Sequence, residues 1–461
     1  MRKLGFIILL CTAFLPLSAQ FQTKIMQDNI KTLRVRYLSQ ADQPSNKQHP
    51  VRPVLYLNGG IVDNSDLDNI LEFSFDELSQ ESHQYTFTLL HLNADMTESS
   101  LMSSEYLRGF TTKDITDYEY SHNTAIEYTH YTFTIPNEDM TLTASGNYVV
   151  KVYEDGDPDK IVFFKTFFVV DPRVAISYNL IANTDIEFSG RFQQLDIDIN
   201  TTLVQSRQQS SADLSQDYFI VVRQNGRTDN MVFRPKPNYI STNRLQFKHN
   251  KELIFEGGNE YRHFDIFSNY MAGTNVYKIE FRSGDYHALL ETDIPRGVGS
   301  MYAGDVVTQK IGAPYMHEYD HNGQFVINAE RALHSPEIEA EYMWVHWLLP
   351  SQPYFDGSIY ILGDLFDNRF GPSNRLIYDA ENKCYYLYAL VKQGGYDYSY
   401  AFLPKTPEAD PYNTGYITKG ATLQKIEGSH WETENEYTIY VYYRPFGARY
   451  DQLVGYTSSS E

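Results

Sequence analysis

Cysteine is almost missing from this chain: two occur in 461 residues. One of them, Cys11, lies in an apolar leader, so Cys384 alone remains beyond it and no internal disulfide can form there. Stability must then come from burial. Cys384 sits in the strand-like run NKCYYLYAL with no Ser, His or Asp motif beside it, and reads as a buried apolar thiol rather than a nucleophile. Positive charge is also scarce. Thirty-eight Lys and Arg face 59 Asp and Glu, a net charge of −21, which argues against nucleic acid and anionic lipid surfaces as partners. After the leader no segment reaches the ~18 apolar residues of a membrane-spanning helix. Zinc-binding HExxH, calcium-loop and paired Cys/His patterns do not occur, nor do a nucleophile elbow, a Walker loop or a dinucleotide fingerprint. These absences favour a binding or structural protein over an enzyme.

The leader itself is informative. MRK supplies two positive charges, GFIILLCTAFLPL an apolar stretch too short to span a bilayer, and LSAQ a small-residue end. The pattern predicts a secretory signal over residues 1–20, cut after Ala19 or Gln20, and so an exported protein. Leu10 before Cys11 is not the small residue that a lipidation site needs. About 440 residues remain, enough for roughly three domains.

Aromatic residues dominate what is present, with 38 Tyr and 27 Phe. Tyrosine suits a sheet, where the ring is buried and the hydroxyl kept wet. Period-two alternation recurs. YTFTLLHL sets Tyr85, Phe87 and Leu89 against Thr86, Thr88 and Leu90, and EYTHYTFTI sets Thr129, Tyr131, Phe133 and Ile135 against Tyr128, His130, Thr132 and Thr134. Asp155-Gly156 and Asn225-Gly226 tolerate the positive φ of tight hairpin turns. Strand signals every 8–15 residues predict an all-β chain of serial immunoglobulin-like and early-set β-sandwich domains. In SGNYVVKVYEDGD, Gly146 precedes Tyr148 as in the tyrosine corner of immunoglobulin-like sandwiches. The expected divisions are 21–172, closed by Asp171-Pro172, then a β-rich block 173–335, then an early-set-like block 336–461. The last division rests on a likeness of YMWVHWLLPSQPYFDGSIYILGDLFDNRF and the following strand pair, ending in GGYDYSYAF, to early-set domains that accompany glycan-binding and glycan-cleaving modules.

Several stretches carry two readings each. In SHWETENEYTIYVYY, His430, Glu432, Glu434 and Glu436 recur at every second position. They could be ion ligands, or the exposed lead-in of a strand that then buries both faces. Alternate Cβ atoms along a strand stand ~6.5–7 Å apart and parallel, so four such residues cannot converge on one ion. Asp155, Asp157 and Asp159 resemble part of a calcium loop but lack its later Glu, which leaves turn chemistry. Trp344 shares a strand face with Tyr342 and His346 while Trp347 takes the other, so one face is core and the other could stack on sugar. Finally, FEGGNEYRHFDIFSNYM holds Gly257 and Gly258, which permit close backbone approach, followed by Glu260, Tyr261, Arg262 and His263. That mixture of charge and aromatic character suits a partner contact or a domain junction, against a plain surface turn.

EGGNEYRHFDIFS, FVINAE, YMWVHWLLPSQPYFDGSIYILGDL and NEYTIYVYYRPFGARYDQLVGY, with RPVLYLNGG and LRGFTTKDITDYEYSHNT, together resemble one exported family of the Bacteroidetes. These are the type IX secretion system plug proteins, long catalogued as a domain of unknown function. The resemblance covers essentially the whole chain after the leader. It implies a non-enzymatic periplasmic subunit that closes the periplasmic opening of the giant outer-membrane β-barrel translocon when cargo is absent, with no cofactor. The rival expectation is an exported glycan-binding or glycan-cleaving protein, resting on the early-set likeness and Trp344.

Overall fold

The computed structural model describes residues 21–41, 52–188, 190–202, 211–297, 315–405 and 420–459. The expected secretory signal over residues 1–20 lies outside them. The chain is all-β, built of mainly antiparallel sheets packed in pairs as sandwiches, with parallel pairing at Leu55–Tyr56 against Ile161–Val170 and at Asp285–Leu290 against Tyr342–Pro350.

The N-terminal sandwich faces a sheet of Ile30–Tyr37, Leu71–Glu77, Thr129–Ile135 and Asp117–Tyr120 against one built on Tyr85–Leu92, Gly146–Glu154 and Ile161–Val170. Alternation decides which residues enter. Tyr131, Phe133 and Ile135 turn inward with Phe73, Phe75, Phe87, Phe163 and Phe167, while His130 takes the other face. Rings interlock within and across the sheets: Phe75 stacks on its cross-strand neighbour Tyr131 at 5.0 Å and meets Phe163 of the facing sheet edge-on at 5.0 Å. The Tyr148 hydroxyl donates to the Ala144 carbonyl at 2.7 Å, which is the tyrosine corner that Gly146 and Tyr148 foretold. Asp155 and Gly156, both at positive φ, turn the hairpin that follows.

The middle sandwich begins at Ala175–Ile181 and pairs Phe192–Asn200 with Arg244–Phe247 and Ile254–Glu256. Its second sheet runs Val232–Phe233, Tyr218–Gln224, Tyr437–Tyr443 and Gln452–Ser458. The chain therefore leaves this sandwich unfinished, builds a third between residues 262 and 404, and returns to close it. The register runs from Tyr218 opposite Tyr443 to Gln224 opposite Tyr437. Strand Tyr437–Tyr443 is buried on both faces. Tyr437, Ile439 and Val441 fill the middle core, while Tyr440 and Tyr442 pack on the N-terminal sandwich, where Tyr440 meets Phe168 at 4.7 Å and the Tyr442 hydroxyl reaches Asn147 at 2.7 Å.

The nested sandwich carries Arg262–Asp265, Phe325–Ile327, Gly357–Leu362 and Gly394–Pro404 on one side, and Val276–Arg282, Asp285–Leu290, Tyr342–Pro350, Cys384–Lys392 and Ile377–Asp379 on the other. Its core holds Trp347, Phe264, Tyr396 and Val345. A second tyrosine corner recurs here: Tyr396, behind Gly394 and Gly395, donates to the Lys392 carbonyl at 2.6 Å. The division expected between residues 335 and 336 falls inside this sandwich, because strands from both sides of it share its sheets. Cys384 is buried, and burial raises its thiol pKa.

Candidate functional site

The segment from Phe255 to Met271 is where the chain crosses from the middle sandwich into the nested one. Gly257 is there because of contact: a β-carbon on it would stand 2.0 Å from the His430 carbonyl oxygen. The two backbones are tied, His430 N–H donating to the Gly258 carbonyl at 2.8 Å and Gly257 N–H to that of Arg191 at 2.9 Å. Close approach needs glycine, and the four polar residues that follow then fall into a buried junction.

Arg262 is its centre. Its guanidinium forks onto Glu427 at 2.9–3.1 Å, reaches Asp293 at 2.7 Å, donates to the Ile294 carbonyl, and lies 5.3 Å over the Tyr400 ring. The Tyr398 and Tyr400 hydroxyls both donate to Asp293 at 2.7 Å. Burial alone would raise the Glu427 carboxyl, but Arg262 holds it below its ordinary value. Glu260 is buried, accepts from the Tyr315 hydroxyl at 2.5 Å and from Glu434 N–H at 3.2 Å, and is pushed up by burial. Tyr261 is buried, its N–H donating to Asp320 at 2.5 Å. His263, half-buried, pairs with Asp397 at 2.8 Å. All four expected contact residues are engaged inside the chain, and only His263 keeps part of its side chain exposed, so the geometry here is that of a junction.

Beside His263 two carboxylates crowd together. Asp397 is buried and also accepts the His321 N–H. Asp320 is pushed up to about 7, first by burial and then by Asp397.

A second junction joins the N-terminal and nested sandwiches through a sheet face that a lone sandwich would leave wet. Asp76 meets Lys392 and His130, both at 2.6 Å, and accepts from the Tyr342 hydroxyl at 2.7 Å. Around it Arg36 pairs with Glu72 at 2.6 Å and with Glu337 at 3.1 Å, and Arg34 also pairs with Glu337. A third point pins all three bodies: Arg52 pairs with Asp364 of the nested sandwich at 2.6 Å, with Glu436 at 3.1 Å, and donates to the Asn225 and Asn322 carbonyls.

Sequence reasoning missed Asp76, Lys392, Arg52 and Glu427. Their partners lie too far along the chain for spacing to report, although the lysine closing ALVK, inside an otherwise apolar strand, was a signal. The His430–Glu436 stretch is not a strand: regular pairing begins at Tyr437. Its backbone bonds go instead to Gly258 and Gly190, and Glu436 is the buried partner of Arg52 rather than part of an exposed face. No group of three or more His, Cys, Asp or Glu among the described residues could hold a metal ion. Lys160 closes on Asp155 at 2.7 Å, and Asp159 N–H on Asp157, as turn chemistry. Trp347 is core, whereas Trp344 lies half-buried on the outer face and donates to Asp285 at 3.2 Å.

No curated protein matches the chain. Among solved structures, a hypothetical protein from Parabacteroides merdae superposes with a TM-score of 0.81 at 34% identity, over 95% of this chain and 99% of its own. The BSP domain of a biofilm-associated protein aligns over 96% of this chain and 83% of its own, at 9% identity, but its TM-score of 0.16 marks no common fold. The family model for the type 9 secretion system plug protein 1st domain matches residues 41–171, most of the N-terminal sandwich. The chain belongs to the type IX secretion system plug protein family, and its role is tied to that secretion system.

Proposed function

We propose that this protein is a non-enzymatic periplasmic plug, closing the periplasmic opening of the giant outer-membrane β-barrel of the type IX translocon when no cargo occupies it. The observation that carries this reading is the welding of three sandwiches. Buried ion networks at Asp76–Lys392 and Arg262–Glu427, with Arg52 between the bodies, make them one stiff block. A wide pore is sealed by a body that does not flex open, and sandwiches locked by paired buried charges meet that need. An excess of acidic groups keeps such a subunit soluble when released. No helix among the described residues is long and apolar enough to cross a membrane.

Affinity purification of the tagged protein from solubilised envelopes tests the assignment. The giant barrel is expected to co-purify, and its absence in both secreting and cargo-depleted cells overturns the reading. Loss of the gene is expected to make the outer membrane more permeable to large solutes, and unchanged permeability argues against plugging.

A further inference from the structure

Where the three sandwiches meet they border a half-open cavity of about 260 Å³. Its wall is unlike the rest of this acidic molecule. Six cationic side chains line it, Arg34, Arg36, Arg52, Lys165, Arg223 and Arg369, against two carboxylates, Asp364 and Asp367. Four of the six are neutralised. Arg34 and Arg36 pair with Glu337, Arg52 with Asp364 and Glu436, and Lys165 with Asp367 at 3.3 Å.

Arg223 and Arg369 have no ion pair among the described residues. Arg223 lies over the rings of Phe168 and Tyr440, at 5.5 and 5.6 Å from their centroids, and its Nε is buried without a hydrogen-bond partner. Arg369 donates to the Thr23 carbonyl at 3.0 Å, and burial lowers its pKa. A guanidinium stays charged regardless. Two cations without a direct ion pair on one half-dry cavity, Arg369 offset only in part by the nearby Asp367 carboxylate, are a standing cost that a bound anion would lower. Guanidinium forks match the paired oxygens of a carboxylate or a similar oxyanion. Between the charges the wall is apolar, with Phe21, Val54, Phe168 and Phe325. We propose that this three-domain cavity binds a small organic anion, an oxyanion head on a compact apolar body, with Arg223 and Arg369 holding the head.

The test is isothermal titration of the purified protein with octanoate, with octylamine as the matched cation and inorganic phosphate as the head without the body. Octanoate is expected to bind at one saturable site. Its affinity is expected to fall about tenfold in Arg369→Gln and in Arg223→Gln, each lost contact being a charge-assisted hydrogen bond. Octylamine is expected not to bind, and phosphate to bind more weakly than octanoate. Arg369→Gln keeps the test valid if Arg223→Gln, which gives up its ring contacts, fails to fold. Four outcomes overturn the proposal: no saturable octanoate binding at millimolar concentration, octylamine binding as well as octanoate, phosphate binding as tightly, or folded Arg369→Gln binding octanoate like the unaltered protein.

Discussion

The ammonium of Lys392 and the carboxylate of Asp76 meet at 2.6 Å with neither side chain exposed to solvent, although 316 residues separate them. Burial would raise the Asp76 carboxyl, yet Lys392 and His130 hold it below its ordinary value. Removing one partner strands the other. Lys392→Met is therefore expected to destabilise the protein by about 3–5 kcal/mol, and Asp76→Asn by a similar amount. In the double variant part of the loss returns, since no unpaired charge is left. Urea denaturation of the three variants measures this. A loss within error of zero for Lys392→Met would show that the pair contributes nothing to the weld.

The middle sandwich borrows its second sheet from the end of the chain. A fragment spanning residues 173–335 is expected to remain unfolded by amide chemical-shift dispersion, since Tyr218–Gln224 lacks its neighbour Tyr437–Tyr443. The N-terminal sandwich, residues 21–172, has its own core and is expected to give a dispersed spectrum alone.

Two limbs of pH dependence follow from opposite shifts. Asp320 is raised to about 7 in the folded protein, so the folded state binds its proton where the unfolded state has released it. Its stability contribution is present below the ordinary carboxylate value near 3.9 and is lost as pH rises towards 7. His263, which burial would lower but Asp397 raises, acts with the same sign, its contribution being lost as pH rises through its raised pKa. Asp320→Asn is expected to flatten the decline in melting temperature between about pH 4 and pH 7. On the acid side, Asp76 and Glu337 are both held low by their cationic neighbours against the effect of burial. Their stabilisation is present above the ordinary carboxylate range and disappears as pH falls below it. Melting curves across pH for the unaltered protein and Asp320→Asn measure both limbs, and parallel curves would refute the Asp320 assignment.

Gly257→Ala drives a methyl group into the His430 carbonyl. The backbones must separate, and a loss of about 1–3 kcal/mol is expected. Amide exchange should quicken around Gly258 and His430, whose bond closes the crossing.

Face and element type were legible in the sequence because alternation reports which side of a strand is apolar. Tyr131, Phe133 and Ile135 fell inward as read, and Gly146 with Tyr148 marked a tyrosine corner that the structure contains. The same Gly-x-Tyr signal at Gly394 and Tyr396 marks another that went unread. Periodicity does not report which strand lies alongside. Tyr437–Tyr443 announced a strand buried on both faces but not its pairing with Tyr218–Gln224, and the division expected between residues 335 and 336 did not foresee that Asp285–Leu290 and Phe325–Ile327 join sheets with strands beyond it. The even spacing of His430 to Glu436 imitated a strand, whereas backbone bonds to Gly190 and Gly258 decided otherwise. Arg262 read as part of a partner contact or a domain junction, and spacing could not name its carboxylate partners, Asp293 and Glu427, because they are 31 and 165 residues away.

The return of the chain to finish its middle sandwich sets an order of events during synthesis. Strand Tyr218–Gln224 waits, one edge bare, until Tyr437–Tyr443 emerges. A polypeptide cut short anywhere before Tyr437 leaves Phe219, Val221 and Tyr218 uncovered and Arg52 without Glu436. Truncated chains thus advertise themselves through a sticky open edge, and only a molecule read through to its last strands passes as complete.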